Sequence, residues 1–166
     1  MSLASTKPPP ADFQRTVSGS VAKGTSVRDL TVGDIDVVFQ PIVDMQTGFT
    51  FAYEALTRCK WPEFKNPLVL FQQAEAERAC GPLGRKIREV AFGRCADAPL
   101  FVNLHPHELS DGWLVRPDDP LFFHDRAVYL EITESAAFSY FGLCAGVLKE
   151  ICSRGGAYLV VDDLGA

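Results

Sequence analysis

Val37-Val-Phe-Gln-Pro-Ile-Val-Asp-Met-Gln-Thr-Gly-Phe-Thr-Phe-Ala-Tyr-Glu-Ala-Leu-Thr-Arg58 is the stretch whose reading decides the fold. Two apolar runs, Val37–Val43 and Phe49–Thr57, flank the polar segment Asp44-Met45-Gln46-Thr47-Gly48. That pattern predicts a β-hairpin. Side chains two apart on a strand share a face, so Ala52, Glu54, Leu56 and Arg58 line one side, and Tyr53 and Ala55 the other. A carboxylate and a guanidinium on one face, four residues apart, can hold a metal ion and an anionic ligand side by side. They can equally form an ordinary strand-end ion pair, and this stretch alone leaves both readings open.

Working outward from the hairpin, the chain becomes a βα alternation. Asn66 caps a helix with Pro67 at its first position, and Gly81-Pro82 is expected to stop it. A second helix is expected over about Leu83 to Cys95, with Leu83, Ile87, Val90 and Ala91 on one face. Leu100–Leu104 and Ala127–Ile132 read as short buried strands. Ser135–Arg154 reads as a long helix ended by Gly155-Gly156, and Ala157–Asp163 as a last strand. Outward-facing Leu100, Val102, Leu104, Val128, Leu130 and Ile132 would leave Phe101, Asn103, Tyr129, Glu131 and Thr133 inward. Parallel strands joined by helices, with polar groups near their C-terminal ends, define a βα barrel or an open α/β sheet. Upstream, residues 1–29 are rich in Ser, Thr, Gly and Pro and read as a linker or short preceding element, with one domain over 30–166.

Composition narrows the function classes. A hydrophobic fraction of 47% and 12 Phe can fill one sizeable core in 166 residues. The net charge of −5 carries no sign of the basic patch that polymeric nucleic acid or a membrane surface would require. A small anionic ligand remains compatible, provided local cations meet it. No run reaches the eighteen or so apolar residues of a membrane span. Five cysteines without paired spacing imply reduced thiols and a cytoplasmic setting for this chain.

The strand-end groups Glu54, Asn103, Glu131, Asp162 and Asp163 are all hard oxygen donors. Such a set suits Mg²⁺ or Mn²⁺ rather than zinc. Four acids converging from successive strands repel at close range unless a cation joins them. His105-Pro106-His107 lacks a third soft ligand nearby in sequence and reads as a surface pair, while the cysteines read as core.

Gln40-Pro41-Ile42-Val43, Tyr53-Glu54-Ala55-Leu56-Thr57-Arg58, Phe101-Val102-Asn103-Leu104, Leu130-Glu131-Ile132-Thr133-Glu134 and Val161-Asp162-Asp163-Leu164-Gly165 occur in this order. Together they resemble the EAL domain family, bacterial phosphodiesterases that hydrolyse cyclic di-GMP to linear pGpG. The resemblance covers about Val37 to Ala166. It implies a (β/α)8 TIM-like barrel whose first strand runs antiparallel to the rest. It also implies metal ligation by Glu54, Asn103, Glu131 and Asp162, with Asp163 serving a second ion, so that two Mg²⁺ or Mn²⁺ ions act together. By the same resemblance Arg58 pairs with a ligand phosphate, Gln40 and Leu56 line the pocket, and Glu134 steadies the loop after the aspartate pair. Glu54, Asp162, Asp163 and Glu134 are then the catalytic set. The alternative is a non-catalytic cyclic di-GMP receptor or protein-interaction module. A homodimer and an upstream sensory domain are further implied partners.

Two departures lie close to the site. His105 stands where the family usually has a small serine, and Leu164 replaces a common phenylalanine; neither removes a ligand. A (β/α)8 barrel takes about 250 residues, so the expectation is a chain truncated or incompletely recorded after its fifth strand. The family's lysine on the next strand and its late glutamate would lie beyond Ala166, and the 166 residues alone would be inactive.

Overall fold

The computed structural model describes residues 24–110, 112–133, 141–154 and 157–162. Strands β1 (Ile35–Val43) and β2 (Thr50–Cys59) form the expected antiparallel hairpin. Asp44 shapes its turn by accepting hydrogen bonds from the amides of Gln46 (2.9 Å) and Thr47 (2.8 Å). Gly48 completes the turn at a φ of 73°, a conformation that costs a glycine little. The register slips between Ile42 and Val43, so Phe51 falls in a bulge. Its ring lies 6.4 Å from Phe101 and 5.8 Å from Tyr129.

Strands β3 (Leu100–Asn103), β4 (Val128–Thr133) and β5 (Ala157–Asp162) follow, all parallel to β2. The sheet order is β1-β2-β3-β4-β5, so sequence neighbours are spatial neighbours throughout. A doubly wound sheet reverses its strand order at a switch point; this one advances steadily, as the wall of a TIM-like barrel does.

The two faces of the sheet differ as the alternation requires. Ala55, Val102, Leu130 and Ile132 are buried in one core with Leu70 and Ala74 of α1 (Pro67–Ala76). Leu83, Ile87 and Ala91 of α2 (Cys80–Arg94) and Ile151 of α4 (Phe141–Arg154) join them. The opposite face carries an aromatic row. Phe101 stacks on Tyr129 at 4.4 Å, and Tyr129 on Tyr158 at 5.2 Å, because these residues pair in register across β3, β4 and β5.

One expected boundary is corrected. Asn66 caps α1 by accepting from the Leu68 amide at 3.0 Å, with Pro67 first in the helix, but Gly81-Pro82 does not end it. The break falls at Arg78, which takes a left-handed φ of 53°, and Gly81-Pro82 lies in the first turn of α2. First-turn amides have no partner within the helix, so a proline there removes no hydrogen bond. Gly81 is needed for a different reason: a Cβ there would sit 2.1 Å from the Trp113 indole. Short helix α3 (Pro106–Ser110) and 3-10 turns at Trp113–Val115 and Pro120–Phe123, unforeseen in the sequence, fill the connection from β3 to β4. The expected start of the long helix at Ser135, its Gly155-Gly156 stop, and Asp163 lie outside the described residues.

Arg88 of α2 organises that connection. It is 1% exposed and grips Asp119 with Nε (2.9 Å) and Nη2 (2.8 Å), while Nη1 donates to Glu108 of α3 at 2.6 Å. Burial disfavours the guanidinium charge, but Glu108 and Asp119 outweigh it and hold its pKa above the ordinary arginine value. Gly84 makes room, since a Cβ there would meet a Glu108 carboxylate oxygen at 2.0 Å. Arg88→Met should cost about 3–5 kcal/mol in urea unfolding, because two buried carboxylates lose their counter-charge. Arg88→Met combined with Glu108→Gln and Asp119→Asn should cost less than Arg88→Met alone.

Candidate functional site

Glu54, Asn103, Glu131 and Asp162 come from four adjacent strands, β2 to β5, on the face away from the helices. Asn103 pairs in register with Glu131, and Asp162 with Thr133, two residues further along the same face of β4. Asn103 Nδ2 donates to Glu54 Oε1 at 3.0 Å, which leaves the Asn103 carbonyl oxygen as an acceptor. Across the hairpin Gln40 sits directly opposite Glu54, so the two share that face.

Glu131 is the electrostatic centre of this group. Burial, then the Glu54 and Asp162 carboxylates, push its pKa up to about 7. Its Oε2 is buried and makes no hydrogen bond among the described residues. A buried acceptor without a donor is costly, and three converging carboxylates add repulsion. A divalent cation relieves both, and the oxygen-only donor set matches a hard ion. The residues present therefore fit Mg²⁺ or Mn²⁺.

Arg58 settles a question that the hairpin sequence left open. It forms no ion pair with any described carboxylate; its Nη1 donates to the Thr57 carbonyl at 2.8 Å. Most of the guanidinium donors thus remain for an anion. Arg58 lines a cavity of about 460 Å³ with Leu56, Leu68, Phe71, Asn103, His105 and Thr133. Its lining combines polar Thr57, Asn103 and Thr133 with apolar Pro67, Leu104 and Pro106. Glu134 and Asp163, expected in the catalytic set, lie outside the described residues.

The histidines are not the surface pair that the sequence suggested. Both are half-buried, and Cys80 of α2 lies beside them. Burial, reinforced by His107, holds His105 below the usual histidine range, and Phe71 stacks parallel to its ring at 6.1 Å. Only the tertiary packing of α2 on α3 reveals this grouping, because Cys80 is far from His105 in sequence.

Fold and site define an α/β barrel-type protein with an acidic, cation-fitting centre at its strand ends. The chain belongs to the EAL domain family, whose model matches residues 26–166. A protein of Sinorhizobium fredii, y4lL, is 30% identical over 147 residues, covering 82% of this chain but 18% of that protein. Among solved structures, Klebsiella pneumoniae BlrP1 in its manganese and cyclic di-GMP complex is 26% identical, with a TM-score of 0.63. That match covers 80% of this chain and 35% of BlrP1. The BlrP1 complex with calcium and cyclic di-GMP matches at 26% identity and a TM-score of 0.62, over 82% of this chain and 36% of that one. The MucR phosphodiesterase in complex with cyclic di-GMP shares the fold at 24% identity and a TM-score of 0.58, covering 81% of this chain and 60% of its own. The chain thus spans between 18% and 60% of the length of these relatives, less than two thirds in each case. No helix among the described residues is long and apolar enough to cross a membrane.

The raised Glu131 pKa has a definite sign in stability. A carboxyl whose folded-state pKa lies above its ordinary 4.5 favours the fold while protonated. Without metal, stability should therefore fall as pH rises between 4.5 and about 7. Thermal melts should show that fall, Mn²⁺ should oppose it, and Glu131→Gln should flatten the profile and remove the Mn²⁺ effect. His105, held below the usual histidine range, contributes with the opposite sign, so the two profiles are compared: an unsubstituted, metal-free protein whose pH profile matched that of Glu131→Gln would count against the clustered carboxylates.

Proposed function

We propose that this chain forms the metal- and ligand-binding part of a phosphodiesterase that hydrolyses cyclic di-GMP to linear pGpG. The observation that carries the reading is Glu131, whose buried Oε2 makes no hydrogen bond among the described residues and lies near the Glu54 and Asp162 carboxylates. Support also comes from BlrP1, which matches 80% of this chain with 35% of its own and is described with manganese and cyclic di-GMP.

In this reading Glu54, Asn103, Glu131 and Asp162 hold a Mg²⁺ or Mn²⁺ ion, and Asp163 serves a second. Bound there, such ions supply Lewis-acid polarisation of a phosphodiester oxygen and lower the pKa of coordinated water. The chain's own residues bind and orient. Arg58 directs a planar donor fork at a phosphate, a geometry lysine does not reproduce. Leu56, Leu68 and Phe71 give the cavity an apolar wall for a purine, and Gln40 offers an amide to a guanine edge. Glu134 steadies the segment that follows the aspartate pair.

Glu54→Gln in the full-length protein should abolish pGpG formation and weaken Mn²⁺ binding in calorimetry. Unchanged Mn²⁺ affinity would take Glu54 out of the ligand set. Calcium should bind without turnover, since its larger and looser coordination places water poorly.

Arg58→Ala should raise the dissociation constant for cyclic di-GMP roughly tenfold to a hundredfold, about 1.5–3 kcal/mol for a charge-assisted contact. GMP should bind far more weakly than the cyclic dinucleotide, and equal affinities would overturn the ligand assignment. Arg58-dependent binding with no pGpG under any metal would instead identify a receptor.

A further inference from the structure

A second group of metal-capable side chains stands at the edge of the same cavity, with different chemistry. Cys80, His105 and His107 each present one ligand atom, and the three atoms lie within 4.8 Å of one another. We propose that these residues form a separate site for a borderline-soft cation such as Zn²⁺, clipping the β3–α3 turn to the start of α2.

The donor set carries the choice of ion. A thiolate with two imidazoles selects zinc or copper(I) over magnesium or calcium. Zn–S bonds of about 2.3 Å and Zn–N bonds of about 2.0–2.1 Å put tetrahedral ligand atoms roughly 3.3–3.7 Å apart. The observed spacing therefore needs an inward shift of about one ångström, within the reach of small χ adjustments. Three protein ligands leave one position for water. Glu75 Oε1 lies 3.8 Å from His107 Nε2, near enough to close to a hydrogen bond if His107 ligates through Nδ1.

The scaffold under these ligands is rigid. Cys80 is 1% exposed and is the first residue of α2, so the packing of the helix fixes its position. The His105 amide donates to Glu108 Oε1 at 3.1 Å, and Glu108 is itself held by Arg88. The ring of His105 lies parallel to Phe71, with 3° between the planes. Ligands fixed by packing and by neighbouring hydrogen bonds bind metal with little reorganisation. Because His105 and Pro106 also line the 460 Å³ cavity, metal at this site would stiffen that wall.

Cobalt(II) distinguishes this site from the oxygen centre without reference to activity. Titrated into the protein, Co²⁺ should give the intense visible bands of tetrahedral coordination and a thiolate charge-transfer band, both displaced by Zn²⁺. Cys80→Ser should remove the charge-transfer band, and His107→Gln should lower Co²⁺ affinity by about tenfold or more. Glu131→Gln alters only the oxygen centre and should leave both bands in place. If Cys80→Ser fails to fold by circular dichroism, His107→Gln on its half-buried ring carries the same test. A purely weak octahedral spectrum would overturn the proposal, as would tetrahedral bands that survive both Cys80→Ser and His107→Gln.

Discussion

The buried guanidinium of Arg88 is the constraint on which the functional end of this structure depends. Between β3 and β4 the chain runs through a five-residue helix and two 3-10 turns, none long enough to be stable alone. Arg88 joins both ends of that passage to α2 through Glu108 and Asp119. Asp119 also accepts from the Leu121 amide at 3.0 Å, so one carboxylate anchors the turn and neutralises the arginine. Glu108 does the same for the His105 amide. The segment immediately after Asn103 is thus fixed by charge-assisted bonds in a dry setting, where they are strongest and least tolerant of losing a partner. A weakly structured connection becomes a fixed wall of the cavity.

The inner face of the sheet sets the electrostatics by its layering. Phe101, Tyr129 and Tyr158 stack across three strands, and Glu131 follows Tyr129 by two residues on the same face. Glu131 therefore continues the face that carries the aromatic row. Burial leads the causes of its raised pKa, ahead of the neighbouring charges. Phe51 reaches the same aromatic group only because of the bulge in β2.

Much of this was legible in the sequence because it rests on period-two alternation. Leu100, Val102, Val128, Leu130 and Ile132 point to the helices, so Asn103 and Glu131 had to face the other way. Asp44 and Gly48 marked the hairpin turn by their own local chemistry. What stayed hidden depends on contacts between distant segments. Gly81-Pro82 looks the same within a first helical turn as after a helix stop, and the left-handed Arg78 between α1 and α2 carries no local signature. Neither the pairing of Arg88 with Asp119 nor the approach of Cys80 to His105 follows any periodicity, since α2 must first dock on α3. Arg58 was ambiguous because spacing alone does not show whether a side chain turns toward a carboxylate four residues away or toward its own backbone.

The two groupings of polar side chains show opposite solutions to burying charge. Around Arg88 opposite charges meet and each carboxylate is hydrogen-bonded to the guanidinium, so the cluster is held together by its own members. Around Glu131 the described charges have one sign, the hydrogen bonding is incomplete, and Asn103 supplies its single neutral link to Glu54. A stable fold can carry such a mismatch only where strong packing offsets it, which the continuous core on the helix side of the sheet provides. In the proposed reading this mismatch is a binding site built in advance: a cation there would relieve the repulsion, so its binding free energy would include the strain that the empty arrangement holds. The same proposed reading covers Arg58, which forms no ion pair with a described carboxylate: a cation at the acids and an anion at the arginine would each complete what the described residues leave unpaired.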